Sequence, residues 1–533
     1  MRKRIPLMNG LTRRALLAFA AAALLAPLAA LQAADWPQWG GTACKNMVSR
    51  EDKLPQTFVP GKKNPQGGGI LMSTTKNVKW AARIGDFSCG TPTVAGGKVF
   101  VGGMMDEQGV LECFDEATGK LLWRWKKPCR ADLQADAMNF RHFPKSLGVC
   151  STPAIDGDRV YFVDQNCVVE CLDTHGQPPT AGADAGEAKV IWTFDMYADK
   201  AVGSRPSDAC NGSPLIDGDL LYVTTSNGVD RIVEMPIKTD AARRCLAPNA
   251  PTLIVLDKWT GRFLAKDTSP TAANMLHGQW SAPSMGTVQG HKLVFLGGGD
   301  GTCYAFEALT GVPKAAPVTL KTAWWVDCNP PEYRSFGGMD MMVHYTLGDK
   351  RRKDTINTLN DGAFVGMSEI IATPVFYEGR VYVAIGRDPD HGRGRGALLC
   401  LDANQAGDGT KTGKLWTYQG LDRSLSTVSI ADGLLYIADV AGRLHCLDAE
   451  TGKVHWVYDS NGRTIASTMV ADGKIYLPNE KRLNILAAGK ELKLLSQINL
   501  GGPAWGTPVV ANGTLYVPSR NYLWAVKQQN SGE

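Results

Sequence analysis

The sequence lacks an excess of charge of either sign once residues 1–33 are set aside. Five of the 57 basic residues and none of the 52 acidic residues fall in that stretch, so the remainder carries equal numbers of both. It also contains no run of five or more basic residues and no aromatic-basic cluster. Proteins that bind nucleic acid concentrate Lys and Arg against the phosphates. Nothing in the composition therefore indicates a nucleic-acid partner.

A sustained helical periodicity is missing from Ala34 onward, which argues against a helical fold. The stretch before Ala34 has the pattern of a signal peptide: Arg2, Lys3 and Arg4, an apolar stretch over 16–31, and a small-residue cleavage site. Thr-Arg-Arg-Ala-Leu-Leu at 12–17 resembles a twin-arginine signal, although an ordinary secretory signal fits as well. A membrane anchor is the alternative, but Pro27 breaks the apolar run. We expect a periplasmic or secreted protein without an integral membrane segment once the signal is removed.

No cysteine precedes Cys44, so the predicted cleavage point carries no lipidation site. All 13 cysteines follow it, and an odd number leaves at least one thiol unpaired within the chain. One repeat position holds cysteine in several copies and Val255 or Ala305 in others. Exchange with Val and Ala indicates a small buried core residue. The cysteines explained in this way are Cys113, Cys171, Cys400 and Cys446, with Cys303 nearby in the same type of strand.

One unit recurs along the chain: Thr-Pro, a short apolar strand, a Gly turn, a strand with a central aromatic, a strand ending in Leu-Asp, then Thr-Gly-Lys and Trp. Eight units begin at Pro92, Pro153, Pro214, Pro283, Pro374, Val428, Thr468 and Pro508. Four short antiparallel strands per unit, repeated in this way, are typical of a β-propeller. The sequence predicts an all-β, eight-bladed propeller with four-stranded antiparallel blades.

The ends of the chain predict how the ring closes. The last unit stops after its third strand, near Tyr522, and residues 77–84 around Trp80 match a fourth strand. We expect this N-terminal strand to complete blade 8 and remove the open edge. The predicted organisation is a signal peptide at 1–33, an N-terminal extension at 34–76, the propeller at 77–527 and a tail at 528–533.

The Asp-x-x-Thr-Gly-Lys-x-x-Trp pattern at 115–123, repeated at 448–456, resembles the tryptophan-docking repeat of the pyrroloquinoline-quinone dehydrogenases. Asp-Trp-Pro-Gln-Trp-Gly-Gly at 35–41 resembles the start of many exported propellers of this type. The resemblance implies that the Trp of one blade packs against the Gly of the next. The same repeat builds a non-enzymatic outer-membrane assembly lipoprotein, so it implies the fold and not the chemistry. The pattern is broken at Ala265, where a Trp is expected, and in unit seven at 489–492.

The lengths of the connections predict which face is functional. Long insertions lie at 126–149, 195–211, 267–279, 326–370, 226–251 and 387–396. In an antiparallel four-stranded blade these connections all open onto one face, which we call the decorated face. Two long connections, 174–188 and 403–413, fall on the opposite face. Loops on one face of a rigid scaffold are the usual location of a binding site.

The residue three positions before each unit start should lie near the propeller axis on the decorated face. Around the ring these are Cys89, Cys150, Asn211 beside Cys210, Trp280, Ile371, Leu425, Ile465 and Trp505. Quinoproteins hold their cofactor on the axis between a Trp and two adjacent cysteines, but this sequence has no Cys-Cys dipeptide. In one interpretation Trp280 and Trp505 stack on a flat ligand. In the other they plug the channel, and the three cysteines form one disulfide and one free thiol. A soft-metal site from the three thiols lacks zinc-type spacing.

Asp388, Asp390 and His391 lie in a loop of the decorated face and could offer oxygen ligands to calcium, although a solvated turn is the simpler interpretation. We expect a binding or scaffold propeller of the periplasm or cell envelope. Its partner would be a protein or polymer at the decorated face, or a small molecule at the channel mouth. The alternative is a dehydrogenase that uses pyrroloquinoline quinone and calcium to oxidise an alcohol or sugar.

Overall fold

The computed structural model of the protein describes residues 34–130, 147–206, 209–229, 245, 247–336, 339–340, 363–364, 366–387 and 393–528. Eight consecutive antiparallel sheets account for most of the strands. The first strands of neighbouring sheets contact one another between blades 1 and 2, 4 and 5, 6 and 7, and 7 and 8. Residues just before the first strands of all eight sheets line one cavity, so these strands surround a common axis. The prediction of an eight-bladed propeller is confirmed.

Each blade runs outward from its first strand. The strands of blades 1 to 4 are Thr93–Ala95, Lys98–Met105, Gln108–Asp115 and Leu121–Pro128; Ala154–Asp156, Arg159–Val163, Val168–Asp173 and Lys189–Asp195; Leu215–Asp217, Leu220–Thr224, Leu253–Asp257 and Phe263–Lys266; Ser284–Val288, His291–Gly297, Thr302–Glu307 and Thr322–Asp327. The strands of blades 5 to 8 are Val375–Tyr377, Arg380–Ile385, Ala397–Asp402 and Lys414–Tyr418; Ser429–Ala431, Leu434–Ala438, Arg443–Asp448 and Val454–Asp459; Met469–Ala471, Lys474–Pro478, Leu483–Ala487 and Leu494–Ile498; Val509–Ala511, Thr514–Pro518, Tyr522–Val526 and Val78–Arg83.

Blade 8 is completed by the N-terminal strand. Val78–Arg83 pairs antiparallel with Tyr522–Val526, with Ala81 opposite Trp524. Side chains of Val78–Arg83 alternate between buried and exposed positions, and Trp80 is buried. The first strand of the propeller therefore hydrogen-bonds to the last, as predicted, and this pairing closes the ring.

Tryptophan side chains connect neighbouring blades by hydrogen bonds at six of the eight junctions. Each indole N–H donates to a carbonyl oxygen of the next blade at 2.9–3.3 Å; the donors are Trp80, Trp123, Trp192, Trp324, Trp416 and Trp456. At four of these junctions the indole lies against a glycine whose φ is positive: Gly119, Gly176, Gly261 and Gly452. A Cβ at these glycines would crowd the ring. The docking implied by the repeat is confirmed.

The two long connections on the opposite face also have a structural role. Gly186–Glu187 pairs in parallel with the outer strand of blade 1, and Gly407–Asp408 pairs with that of blade 4. Val318–Thr319 does the same for blade 3, whose outer strand carries Ala265 at the expected Trp position. Each of these three blade edges is thereby covered by a loop of the following blade, which protects it from pairing with another chain.

Residues 34–54, which we call the N-terminal segment, cross the end of the channel opposite the decorated face. They bond to the innermost strand of most blades: Ala34 to Asn512, Trp36 to Val94, Pro37 to Ile155, Ala43 to Met285, Cys44 to Phe376, Asn46 to Ile430 and Met47 to Val470. Trp36, Met47 and Leu54 are buried in the core shared with blades 7 and 8. This contact with seven blades had no counterpart in the sequence pattern.

The remaining described elements are small. Lys62–Lys63 pairs with Ile70–Leu71, Ser335–Phe336 with Met339–Asp340, and Ala363–Phe364 with Arg393–Gly394. Two 3-10 turns, Met72–Thr74 and Pro331–Tyr333, are present. In the part of the chain that the structure describes, no helix has the length and apolarity to cross a membrane. The predicted signal peptide lies outside that part.

Candidate functional site: the axial cavity

A cavity of about 210 Å³ lies on the propeller axis. All eight blades line it, because each contributes its axis residue and the residue two positions later. The upper level consists of Cys89, Cys150, Asn211, Trp280, Ile371, Leu425, Ile465 and Trp505. The lower level consists of Thr91, Thr152, Ser213, Ala282, Thr373, Thr427, Ser467 and Thr507. In every blade, the same two positions of the repeat therefore line the cavity.

The upper level brings together most of the predicted site residues. Cys89, Cys150, Asn211, Trp280 and Trp505 all line the cavity. The structure places Cys210 elsewhere. Its side chain is buried in the core between blades 2 and 3, since the neighbouring Asn211 occupies the axis position.

The lower level forms a belt of hydrogen bonds between blades. The backbone N–H of Thr373 donates to the hydroxyl of Thr427, and the pattern continues to Ser467, Thr507 and Thr91 at 2.8–3.2 Å. The N–H of Thr152 likewise donates to Ser213 Oγ at 3.0 Å. Ala282 interrupts the belt because it has no hydroxyl. The belt holds the lower level in register and leaves the upper level to differ from blade to blade.

The end of the cavity opposite the decorated face is closed by the N-terminal segment. Trp39 lines the cavity there, and its indole N–H donates to Thr373 Oγ1 at 3.0 Å. Lys45 is fully buried in the same segment and donates to Gln38 Oε1 at 2.8 Å. Burial lowers the pKa of Lys45 to about 7. Within the described part of the chain, the cavity is therefore closed at this end and open toward the decorated face.

The two predicted tryptophans have different surroundings. Trp280 donates its indole N–H to the Ala209 carbonyl oxygen at 2.9 Å and meets His277 edge-on. Trp505 packs with Phe87 and Met104, and the Arg463 guanidinium lies 5.6 Å from the centre of its ring. Arg463 also lines the cavity. The open end thus combines aromatic surface with one positive charge.

The cavity thiols are protonated at neutral pH. Burial raises the pKa of Cys150 to about 12, and it raises the pKa of Cys89 well above its usual range, helped by the neighbouring Cys150. The thiolate is the nucleophile and the metal ligand of cysteine. Neither side chain is therefore activated for nucleophilic chemistry. The third-strand cysteines Cys113, Cys171, Cys400 and Cys446 are buried, as predicted.

No group of three or more His, Cys, Asp or Glu side chains among the described residues is arranged to hold a metal ion. Asp388, Asp390 and His391 lie outside the described residues, so the calcium prediction stays a prediction. His277 and Asn329, from two of the large loops, are buried below the surface and do not line the cavity.

A sequence profile for the outer membrane protein assembly factor BamB matches residues 66–317 and 367–495, which is most of the chain. The chain belongs to this family. The matched residues include the closing strand Val78–Arg83, the whole of blades 1, 2, 3, 5 and 6, and the three inner strands of blades 4 and 7. Comparison with curated protein sequences gives no match.

Two solved structures illustrate the likeness of fold. BamB from Moraxella catarrhalis is 14% identical, with a TM-score of 0.48 over 86% of this chain and 98% of its own. The quinohemoprotein alcohol dehydrogenase from Comamonas testosteroni is 14% identical, with a TM-score of 0.45 over 93% of this chain and 81% of its own. At these identities the likeness concerns the fold alone.

The described residues of the cavity do not fit pyrroloquinoline quinone with calcium. The quinone is a polycarboxylate, and Arg463 is the single cationic side chain in the described lining. Calcium takes several oxygen ligands, most of them carboxylates, whereas the described lining offers hydroxyls and the Asn211 amide. Cys89 and Cys150, on different blades, stand where the resemblance to the dehydrogenases implies a pair of adjacent cysteines.

Proposed function

We propose that the chain is an exported binding propeller of the cell envelope, which holds a protein or polymer partner at its decorated face. One observation carries the proposal. The axial cavity is closed at one end by Trp39 and presents Trp280, Trp505 and Arg463 at the other. A pocket of about 210 Å³ accepts a side chain or a terminal sugar of a partner, while the surrounding loops contact the rest.

The lining favours binding over acid–base catalysis. Its described residues offer aromatic faces, hydroxyls, one amide and one guanidinium. None of them is a carboxylate or an imidazole, the groups that most often transfer protons in enzymes. The two thiols are protonated because burial raises their pKa. Aromatic and Arg side chains are also the residues that dominate binding energy at interfaces.

Export and the envelope location rest on separate support. The stretch before Ala34 has the composition of a signal peptide. The family profile is described as an outer membrane protein assembly factor, which supports a protein partner in the envelope. The binding surface that we propose belongs to the propeller itself.

The test is a binding experiment with matched tryptophan variants. Purified mature protein is immobilised, and isolated envelope fractions (outer-membrane proteins, peptidoglycan fragments and lipopolysaccharide oligosaccharides) are passed over it. Trp505→Ala is expected to weaken retention of the bound fraction by about tenfold or more, the effect typical of a central aromatic anchor. Trp259→Ala is the control, since Trp259 is exposed on a turn of the opposite face. Equal retention by both variants would rule out the cavity as the binding site.

The dehydrogenase alternative has its own decisive measurement. Pyrroloquinoline quinone and calcium are added to the mature protein, and the absorbance of the quinone and dye-linked oxidation of alcohols and sugars are followed. We expect neither to change, because the cavity offers one cation for a polycarboxylate. Quinone binding with turnover would overturn the proposal.

A further inference from the structure

Cys167 lies in the turn between the second and third strands of blade 2, at a position where blades 4 and 6 have glycine. The turn is closed by the Cys167 N–H bonding to the Asp164 carbonyl oxygen. Gly442 in blade 6 and Gly301 in blade 4 make the same bond in their own turns, to Asp439 and Gly298. All three residues have positive φ, +63° at Cys167, +91° at Gly442 and +80° at Gly301. Glycine adopts this conformation freely and cysteine does not.

Cys210 also differs from its counterparts in three other blades. Those counterparts precede the axis residue and donate a hydroxyl to the second strand of their own blade. Ser88 donates to Gly102, Ser424 to Ala438 and Thr464 to Pro478, at 2.6–2.7 Å. Cys210 points instead toward blade 2, with its sulfur 3.9 Å from the Gln165 carbonyl oxygen.

Cys167 and Cys210 lie close together at the junction between blades 2 and 3. Cys167 reaches into blade 3, where its thiol donates to the Thr225 carbonyl oxygen at 3.2 Å. The side chains of Cys167 and Cys210 interact, and this interaction, together with burial, raises the pKa of Cys210 well above its usual range. Both side chains are buried in one cluster between blades 2 and 3, with Val202 and Val223 around them. Two cysteines, one from the turn of blade 2 and one from the entry to blade 3, thus lie side by side at a blade junction.

We propose that Cys167 and Cys210 form an inter-blade disulfide in the mature protein. The two thiols together lose two protons and two electrons, and an external disulfide accepts them and leaves as two thiols. The bond forms while the chain folds, before the pair is buried. It needs the oxidising compartment that the proposed export supplies. Cys89 and Cys150 remain thiols at the cavity.

The turn position of Cys167 gives the disulfide a role in stability. A cysteine at a left-handed turn position weakens the reduced protein relative to glycine. A cross-link between the blade 2 turn and the entry to blade 3 removes conformations from the unfolded chain and offsets that cost. It also holds Asn211, the next residue along the chain, at the axis level of the cavity.

The first test maps the bond directly. Mature protein is refolded in a buffer of oxidised and reduced glutathione, alkylated under denaturing conditions and digested without reductant. Trypsin, which cleaves after Arg159, separates Cys167 from Cys150, and a second protease that cleaves after Glu170 separates it from Cys171. We expect a Cys167–Cys210 cross-linked peptide and alkylated Cys89 and Cys150. Alkylation of both Cys167 and Cys210, or a Cys150–Cys210 peptide, would overturn the proposal. Refolding in glutathione separates this outcome from failure of the export proposal.

The second test uses stability. Reduction is expected to lower the Tm of the wild type by about 3 °C or more, and Cys210→Ser is expected to lose this response. Cys167→Gly should lose it too, yet melt no lower than the reduced wild type, because glycine suits the turn. Cys400→Ala, at a buried third-strand thiol, is the control that keeps the response. An unchanged redox response in Cys210→Ser would contradict the bond.

Discussion

The two ends of the propeller channel are built in different ways. At one end the N-terminal segment binds the innermost strands mainly through its backbone, from Val94 in blade 1 to Val470 in blade 7. At the other end the side chains of the axis positions surround an open pocket, and they differ from blade to blade. Backbone pairing depends little on side-chain identity, whereas the open end depends on it entirely. The first end therefore serves stability and the second is free to determine specificity.

Removal of the closed end should have the largest effect. Deletion of residues 34–84 takes away the N-terminal segment and the closing strand Val78–Arg83, and it should abolish cooperative unfolding. Deletion of 34–76 leaves the closing strand, so we expect a folded ring whose Tm falls by about 10 °C or more, because the hydrogen bonds to seven blades are lost. Circular dichroism melts distinguish the two. A stable ring without residues 34–84 would contradict closure by the N-terminal strand.

Trp39→Ala should cost less, about 2–3 kcal/mol of unfolding free energy, because it empties the floor of the cavity and removes the bond to Thr373. Leu425→Ala, at the open end, is the matched comparison and should cost about 1 kcal/mol since Leu425 is only half-buried. Denaturant unfolding measures both. An equal loss of unfolding free energy in the two variants would show that the closed end does not contribute more to stability than the open end.

Charge gives a third comparison, between buried Lys45 and partly exposed Arg463. Lys45 has a folded pKa of about 7 against 10.5 for the ordinary side chain. The unfolded chain holds this proton more tightly than the folded protein does, so protonation of Lys45 lowers the free energy of unfolding. The loss is complete below pH 7, where Lys45 is protonated in both states, and it is absent above pH 10.5, where Lys45 is neutral in both. Wild-type stability should rise with pH across that window. Lys45→Met should flatten the rise and gain about 1 kcal/mol or more at neutral pH, whereas Arg463→Met should leave the profile unchanged.

The hydroxyl belt between the two ends should give the smallest effects. Thr427→Val removes the acceptor of the Thr373 N–H and should cost about 1–2 kcal/mol, since that group is buried. Ala282→Ser adds an acceptor where the belt is interrupted and should gain about 0.5 kcal/mol. Thermal melts of the two variants together decide the matter. We expect Thr427→Val to lower the stability and Ala282→Ser to raise it. A lower stability in both variants would show that the belt is not the source of the stability.

The repeat made the ring predictable. Every copy places its unit start and aromatic strand at the same spacing, so Trp80 and the axis residue Trp505 could be assigned from position alone. The blade count and the closing strand followed, because residues 77–84 match the strand that the last unit lacks. The Trp docking at Gly119 was implied by the family pattern.

Features outside the repeat could not be assigned in this way. The N-terminal segment occurs once, and its partners are main-chain groups that leave no side-chain signature at Val94 or Met285. The repeat assigns the axis position to Asn211, but it does not tell which blade the side chain of the neighbouring Cys210 packs against. The role of 174–188 and 403–413 was also hidden, because a parallel pairing of two residues has no periodicity.

The N-terminal segment also determines the order in which the protein can be completed. Glu51 is made near the beginning of the chain, yet its carboxylate accepts the Gly513 N–H, 462 residues later. Neither the closed end of the channel nor blade 8 can form until the last blade has been synthesised. Contacts of such long range fold slowly, and incomplete chains are exposed to aggregation in the meantime. A chain truncated near its C-terminus would therefore lose its first blade junction as well as its last.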